Sequence, residues 1–146
     1  MICISLIGWG EKNKKGNSTN VLLEVELSVA DNEDCKEWWR DPPTRDTPTN
    51  ITENQICARI EETKSTCRGD SGGPLTYKSG NQHVLIGATS TGPKHCGVDD
   101  AFIVFSRISQ FREWIEGKLE APRFCDGGAD VVIGIILCNI FLICIG

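Results

Sequence analysis

Histidine is scarce in this 146-residue chain, and several sequence patterns are missing from it altogether. The chain has 2 histidines, no block of basic residues, no internal repeat and no low-complexity segment. A net charge of −5 without a basic block gives no reason to expect nucleic acid or an anionic membrane surface as a partner. No C-x₂-C or H-x₃-H spacing occurs, and His95-Cys96 is the only adjacent pair of these residue types. We therefore predict no metal site, and we expect no cofactor.

The residues that are present describe a globular protein with many cysteines. Its hydrophobic content of 40% and charged content of 24% exclude wholesale disorder, and its length fits one domain, or one domain and a tail. The 8 cysteines, together with the sequons that begin at Asn17 and Asn50, favour a secreted, glycosylated protein. Residues 2–10 lack the basic region and cleavage site of a signal peptide, so we expect them to form a strand and the true beginning to be missing.

Hydrophobic periodicity predicts an all-β body. In residues 21–29, hydrophobic side chains alternate with polar ones, which is the pattern of a half-buried strand. Further strands are predicted at 55–60, 83–89 and 101–108. In the 21–29 strand, the hydrophobic side chains that share one face are Leu23, Val25, Leu27 and Val29.

Two helices complete the predicted body. Asp31 or Asn32 can cap a helix through Cys35 to Arg40, where Pro42-Pro43 follows. Ser109 is predicted to cap the second helix. An apolar stripe at three- and four-residue steps leads us to expect that this helix docks on the barrel; its members are Ile108, Phe111, Ile115 and Leu119.

The stretch Gly69-Asp70-Ser71-Gly72-Gly73-Pro74-Leu75 carries the chemistry of an acyl-transfer nucleophile. Glycines on both sides of a serine let the backbone adopt positive φ angles and approach a ligand closely. The amides of Gly69 and Ser71 can then point at one oxygen and stabilise a tetrahedral oxyanion. A serine needs a histidine base held by a carboxylate before it becomes a good nucleophile.

Ordered segments across residues 3–119 resemble the chymotrypsin/trypsin family of serine peptidases, specifically the second of its two β-barrels. The resemblance implies a six-stranded antiparallel barrel with a C-terminal helix, which is half of a double β-barrel. It implies serine endopeptidase activity on protein or peptide substrates. The matching segments are Ile7-Gly8-Trp9-Gly10, Ile56-Cys57-Ala58, Cys67 to Leu75, Phe105-Ser106-Arg107-Ile108 and Trp114-Ile115.

The resemblance assigns roles residue by residue. Ser71 matches the nucleophile, and the amides of Gly69 and Ser71 match the oxyanion hole. Asp70 matches the carboxylate that, in the family, pairs with the amino terminus freed by zymogen cleavage.

The same resemblance implies a set of substrate-binding residues. Ser90 to Gly92 match the segment that pairs with the substrate backbone like an added strand, although Thr91 stands where the family usually has tryptophan. Ser65 replaces the aspartate of trypsin-like members, which disfavours basic substrate side chains. Ile103 matches a pocket-wall position that is often glycine and would favour small apolar side chains. The substrate-binding set is Ser65, Arg68, Ser90, Thr91, Gly92 and Ile103.

Two cysteine pairs would suit this arrangement, although sequence alone does not choose among the many pairings that 8 cysteines allow. A bridge from Cys67 to Cys96 would tie the nucleophile loop to the next segment of a binding pocket. A bridge from Cys35 to Cys57 would close the helix and loop before the strand at 55–60. The partners of the remaining cysteines are left open; these are Cys3, Cys125, Cys138 and Cys144.

The base and its carboxylate are the missing half of the predicted site. In the family they lie on the first barrel, upstream of the Gly-Trp-Gly strand, whereas only nine residues precede Gly10 here. We interpret His83 and His95 as surface residues. The chain is therefore expected to be inactive alone and to leave an apolar surface open for a first barrel or another partner. One hypothesis is a fragment of a secreted serine endopeptidase; the alternative is a non-catalytic homologue that binds proteins, and a cysteine-rich module unrelated to proteases is disfavoured.

Residues 1–120 are thus predicted to form the second barrel, and residues 121–146 a linker and hydrophobic tail. Residues 131–146 are apolar apart from Asn139. As a helix they would extend about 24 Å, short of a bilayer core of about 30 Å. A short membrane anchor, a tail exchanged for a lipid anchor and a spurious extension all stay open.

Overall fold

Six antiparallel strands close into a barrel in the order β1-β2-β3-β6-β5-β4, with β4 pairing back onto β1. The computed structural model describes residues 3–12, 16–17, 19–41, 48–60 and 66–120. The barrel confirms the predicted all-β fold. Its strands are β1 (Cys3–Gly8), β2 (Leu23–Ala30), β3 (Gln55–Arg59), β4 (Pro74–Ser79), β5 (Gln82–Thr91) and β6 (Phe102–Arg107).

The barrel interior is filled by side chains that alternate along most strands. In β2, Leu27 is buried and Val25 packs against the same core, as the alternation predicts. Leu23 and Val29, at the two ends of the strand, are 41% and 42% exposed, because the barrel core does not reach that far. The strand β6 differs, since Phe102–Phe105 are all buried.

A second core cluster lies outside the barrel, beneath helix α1 (Asn32–Arg40). Asp31 begins this helix, because its Oδ1 accepts a hydrogen bond of 2.7 Å from the backbone N–H of Glu33. Cys35 and Trp39 face inward and are fully buried. The Cys35–Cys57 disulfide ties the helix to β3, as predicted.

The C-terminal segment differs from its prediction. Ser109 caps nothing; it lies within a 3₁₀ turn (Ile108–Phe111) that precedes helix α2 (Arg112–Glu120). Phe111 and Leu119 are 39% and 48% exposed, so the expected docking of the apolar stripe is wrong for these two residues. The tighter 3₁₀ turn changes the direction in which Phe111 points, whereas Leu119 lies in α2, where helical spacing alone does not show what packs against the apolar face.

None of the helices within the described part of the chain is long and apolar enough to cross a membrane. The predictions for Ser65, Pro42-Pro43 and residues 121–146, including the three cysteines there, lie outside the described residues.

Candidate active site

The glycine-rich turn around Ser71 lies directly before β4 and is held against β5. The N–H of Gly72 donates to the carbonyl of Thr89 at 2.8 Å, and the N–H of Thr89 donates to the carbonyl of Gly73 at 2.9 Å. Gly69 and Gly72 have φ angles of 95° and 78°. Because an L side chain rarely adopts such angles, glycine at these two positions is what allows the turn to form.

The carboxylate of Asp70 binds the backbone just after the end of β1. Its Oδ1 accepts a hydrogen bond of 2.8 Å from the N–H of Gly10, and its Oδ2 accepts one of 2.9 Å from the N–H of Cys67. Both bonds are charge-assisted and lie in a partly buried site, where they are stronger than neutral hydrogen bonds. A single side chain therefore joins the turn to a strand that is sixty residues away in sequence.

The glycines at the end of β1 make room for this carboxylate. A Cβ atom on either Gly8 or Gly10 would overlap the Asp70 side chain, and a Cβ on Gly69 would lie 3.3 Å from the Cα of Gly10. Next along the chain, the N–H of Glu11 donates to the carbonyl of Arg68 at 2.9 Å. The end of β1 and the nucleophile turn thus pack backbone to backbone.

Two backbone donors beside Ser71 point to no acceptor in the described part of the chain. These are the N–H groups of Gly69 and Ser71 itself. The Ser71 side chain is exposed and likewise has no hydrogen-bond partner among the described residues. An exposed hydroxyl next to two unengaged amides is an arrangement that can present a nucleophile and stabilise an oxyanion.

In the described part of the chain, Ser71 is not engaged by either histidine. His83 pairs with Lys78 at the far end of the β4–β5 hairpin, six residues along β5 from Thr89, which corresponds to about 20 Å of strand. His95 is exposed. Within the residues that the structure describes, neither of them forms a hydrogen bond with Ser71.

The predicted substrate-binding segment forms the end of β5, and Gly92 is the first residue beyond the strand. Ser90 is exposed, and Thr91 pairs with Val104 across a register shift in the β5–β6 ladder. A Cβ on Gly92 would lie 2.8 Å from Thr66 Oγ1 and 4.0 Å from Ile103 Cγ2. The backbone at Gly92 is thus closely lined by these two side chains.

Ile103 and Arg68 occupy contrasting environments. Ile103 is fully buried among the barrel core residues, whereas Arg68 is exposed and meets Glu11 only through its carbonyl. Thr66, which the sequence reasoning missed, is buried beside Gly92. Its position next to Cys67 was the one available signal, because the predicted bridge to Cys96 brings residues 66 and 92 close together.

Both predicted disulfides are present. Cys67 and Cys96 have Cα atoms 5.2 Å apart, and their bond joins the turn to the segment after β5. Cys35 and Cys57 have Cα atoms 6.4 Å apart. In the described ranges, no three His, Cys, Asp or Glu side chains cluster in a way that could hold a metal ion.

Comparison with known proteins gives a consistent answer across most of the described chain. The family model named Trypsin matches residues 3–115. The CLIP domain-containing serine protease B4 of Anopheles gambiae is 33% identical over 112 residues, covering 77% of this chain and 29% of the relative. The CLIP domain-containing serine protease HP8 of Bombyx mori is 33% identical over 119 residues, covering 80% of this chain and 31% of the relative. The clotting factor G beta subunit of Tachypleus tridentatus is 34% identical over 118 residues, covering 79% of this chain and 38% of the relative. The chain therefore spans about a third of the length of these curated relatives.

Proposed function

Because this chain belongs to the trypsin family of serine peptidases, we propose that it carries the nucleophile half of a serine endopeptidase active site. Residues 1–120 are its second barrel, and residues 121–146 are a linker and hydrophobic tail. The observation that carries the proposal is the exposed Ser71 beside the two unengaged amides, in a turn fixed by Asp70. In this proposal Ser71 attacks the scissile carbonyl, and the N–H groups of Gly69 and Ser71 bind the resulting oxyanion.

The proposal further holds that this chain alone does not hydrolyse peptides. Ser71 has no histidine within hydrogen-bonding distance in the described part of the chain, and a serine without a base retains the low reactivity of an alcohol. A first barrel, supplied by a longer polypeptide or by a partner chain, would bring the histidine and its aspartate. The substrates would be proteins or peptides in an extracellular setting, which the two disulfides support.

The proposed substrate preference is for small apolar side chains. Ser65 offers no carboxylate, so a lysine or arginine entering the pocket would be buried unpaired, at a cost of several kcal/mol. Ile103 stands where the family often has glycine, and a branched side chain there would shorten the pocket. Ser90, Thr91 and Gly92 would pair with the substrate backbone.

A chimera tests the proposal. The first barrel of the Bombyx mori relative is joined to Met1, and labelling of Ser71 by a fluorophosphonate probe is measured in the chimera, in the isolated chain and in a Ser71→Ala control. We expect labelling in the chimera alone. Labelling of Ser71 in the isolated chain would contradict the claim that it is inactive alone. A folded chimera that stays unlabelled would contradict the claim that Ser71 is a nucleophile.

A second candidate is a non-catalytic homologue that binds a protein partner. The observation in its favour is the exposed apolar surface beside the turn, where Trp9 and Val21 are 62% and 65% exposed. This candidate predicts that the folded chimera stays unlabelled and that the chain still binds a partner through this surface. The unengaged amides at Gly69 and Ser71 favour the enzyme, because a binding module has no need of them.

A further inference from the structure

The two disulfides of the described chain lie in contrasting surroundings. Cys35 and Cys57 are fully buried and belong to the second core cluster, as does Trp39. Cys67 and Cys96 are each partly exposed, and neither belongs to a core cluster of the described residues. A dissolved reagent can therefore reach the second bridge in the folded chain. The first bridge becomes accessible only when the packing beneath α1 opens.

Cys96 lies in an irregular segment. Residues 92–101 connect β5 to β6 and contain no helix or strand. On one side of Cys96, His95 is exposed, and on the other side Gly97 has a φ angle of 68°. Because this segment belongs to no sheet, the backbone at Cys96 can shift without breaking a ladder of hydrogen bonds, and such local movements cost little free energy.

Cys67, by contrast, is tied into the nucleophile turn. Its N–H donates to Oδ2 of Asp70 at 2.9 Å, and its carbonyl accepts from the N–H of Asp70 at 3.2 Å. The amide of Gly69, one of the two proposed oxyanion donors, lies between these two bonded residues in the sequence. The bridge thus joins the part of the turn that holds Gly69 to the irregular segment after β5.

The remainder of the turn is held independently of this bridge. The N–H of Gly72 and the carbonyl of Gly73 are both bonded to Thr89 in β5. On the other side, Thr66, the residue before Cys67, lies beside Gly92. Opening the bridge would therefore loosen the start of the turn and the wall at Gly92, while the strands of the barrel stay paired.

We propose that the Cys67–Cys96 disulfide is a modification site for low-molecular-mass thiols, and that its opening lowers the reactivity of Ser71. The thiolate of the incoming molecule attacks Sγ of Cys96, and a new S–S bond forms there while the bond to Cys67 breaks. Cys67 leaves as a thiolate with the electron pair and then takes a proton from water. The incoming thiol is thereby oxidised to a mixed disulfide with Cys96, and Cys67 is reduced.

The effect on Ser71 rests on the proposed function, whereas the exchange itself does not. An oxyanion donor acts only when it is held in position before the reaction. Once Cys67 is released, the Gly69 amide loses one of the constraints on its direction. The exchange would thus disarm the turn without unfolding the barrel.

The first experiment uses the full chain with both bridges formed and its other cysteines blocked by iodoacetamide. The folded chain is incubated with reduced glutathione and then quenched with isotopically labelled iodoacetamide, and the modified cysteines are identified by mass spectrometry. We expect Cys67 and Cys96 to be modified at least about tenfold faster than Cys35 and Cys57, which are the matched internal control. Equal rates for the two pairs, or a faster reaction of the buried pair, would overturn the proposal.

The second experiment measures the effect on Ser71 in the chimera. Fluorophosphonate labelling is compared before glutathione treatment, after it, and after reoxidation. We expect labelling to slow at least about tenfold and to recover on reoxidation. A chimera with Cys67→Ala and Cys96→Ala together should be labelled as slowly as the treated one and should not respond to glutathione.

The outcomes of the two experiments separate the claims. Modification of Cys67 and Cys96 with unchanged labelling of Ser71 would overturn the effect on the nucleophile. An oxidised chimera that is never labelled would refute the proposed function, and the effect on Ser71 with it. The exchange is decided by the alkylation rates alone.

Discussion

Replacing Gly10 by alanine perturbs the hydrogen bond between the Asp70 carboxylate and the backbone just after β1. The added Cβ would overlap the Asp70 carboxylate, which must move away and lose its 2.8 Å hydrogen bond from the Gly10 N–H. The φ angle of Gly10 is not positive, so the alanine brings no backbone strain of its own. The effect is therefore specific to the contact with the carboxylate.

The expected magnitude follows from the bonds that are lost. A hydrogen bond to a charged group contributes about 1.5–3 kcal/mol to the free energy of unfolding. Because the displaced carboxylate also weakens its bond with the Cys67 N–H, we expect a total loss of about 2–4 kcal/mol. That is a large part of the roughly 5–15 kcal/mol available to a domain. The melting temperature would fall by roughly 8–15 °C.

Thermal and urea unfolding monitored by circular dichroism measure this change. Gly117→Ala is the matched control, since Gly117 lies in α2 and a Cβ there meets no atom within 4 Å. That control should stabilise the chain by about 0.5–1 kcal/mol, because alanine favours helix more than glycine does.

A double-mutant cycle with Asp70→Ala decides the cause. If the clash with the carboxylate is responsible, Gly10→Ala costs less than about 0.5 kcal/mol in a chain that already lacks Asp70. A full loss from Gly10→Ala in the Asp70→Ala background would refute the reasoning, because the destabilisation would then come from somewhere else.

Three further predictions concern the barrel and its helices. Replacing Cys35 and Cys57 together by serine should lower the free energy of unfolding by roughly 3–4 kcal/mol, because the unfolded chain gains loop entropy; an unchanged urea midpoint would contradict this. Asp31→Ala should lower the free energy of unfolding by about 1 kcal/mol through the lost cap of α1, whereas Asp99→Ala, at an exposed position that caps no helix in the described chain, should change the urea midpoint little. Trp114→Ser should change the free energy of unfolding by no more than about 0.5 kcal/mol because that side chain is 57% exposed, and a larger shift of the urea midpoint would contradict this.

Local patterns in the sequence were sufficient for much of the barrel. The alternation around Leu27 placed β2 correctly, because side chains in a strand point to opposite faces with a period of two. Asp31 was one of two candidate caps for α1, and the structure selects it. Both disulfides join the cysteines that the sequence analysis paired, Cys35 with Cys57 and Cys67 with Cys96.

Contacts between distant parts of the chain were harder to predict. Nothing near Asp70 in the sequence shows that Gly10 receives its carboxylate, since that contact exists only after β1 and β4 have paired. Thr66 is similar, because its proximity to Gly92 depends on the fold. The docking of the apolar stripe was misjudged because helical spacing shows that one face of a helix is apolar but not what packs against that face.

The pairing of β1 with β4 has a consequence for how the chain folds. This seam joins Ile4 to Tyr77 and Leu6 to Leu75, residues about 70 positions apart. The entropy of closing so long a loop must be overcome before the seam forms, and such non-local pairing slows folding. The nucleophile turn is anchored across this seam through Gly10, so it gains its final geometry only when the barrel closes. Any fluctuation that opens this seam would separate Asp70 from Gly10 and disturb the turn around Ser71, while β2, β3 and β6 stay paired.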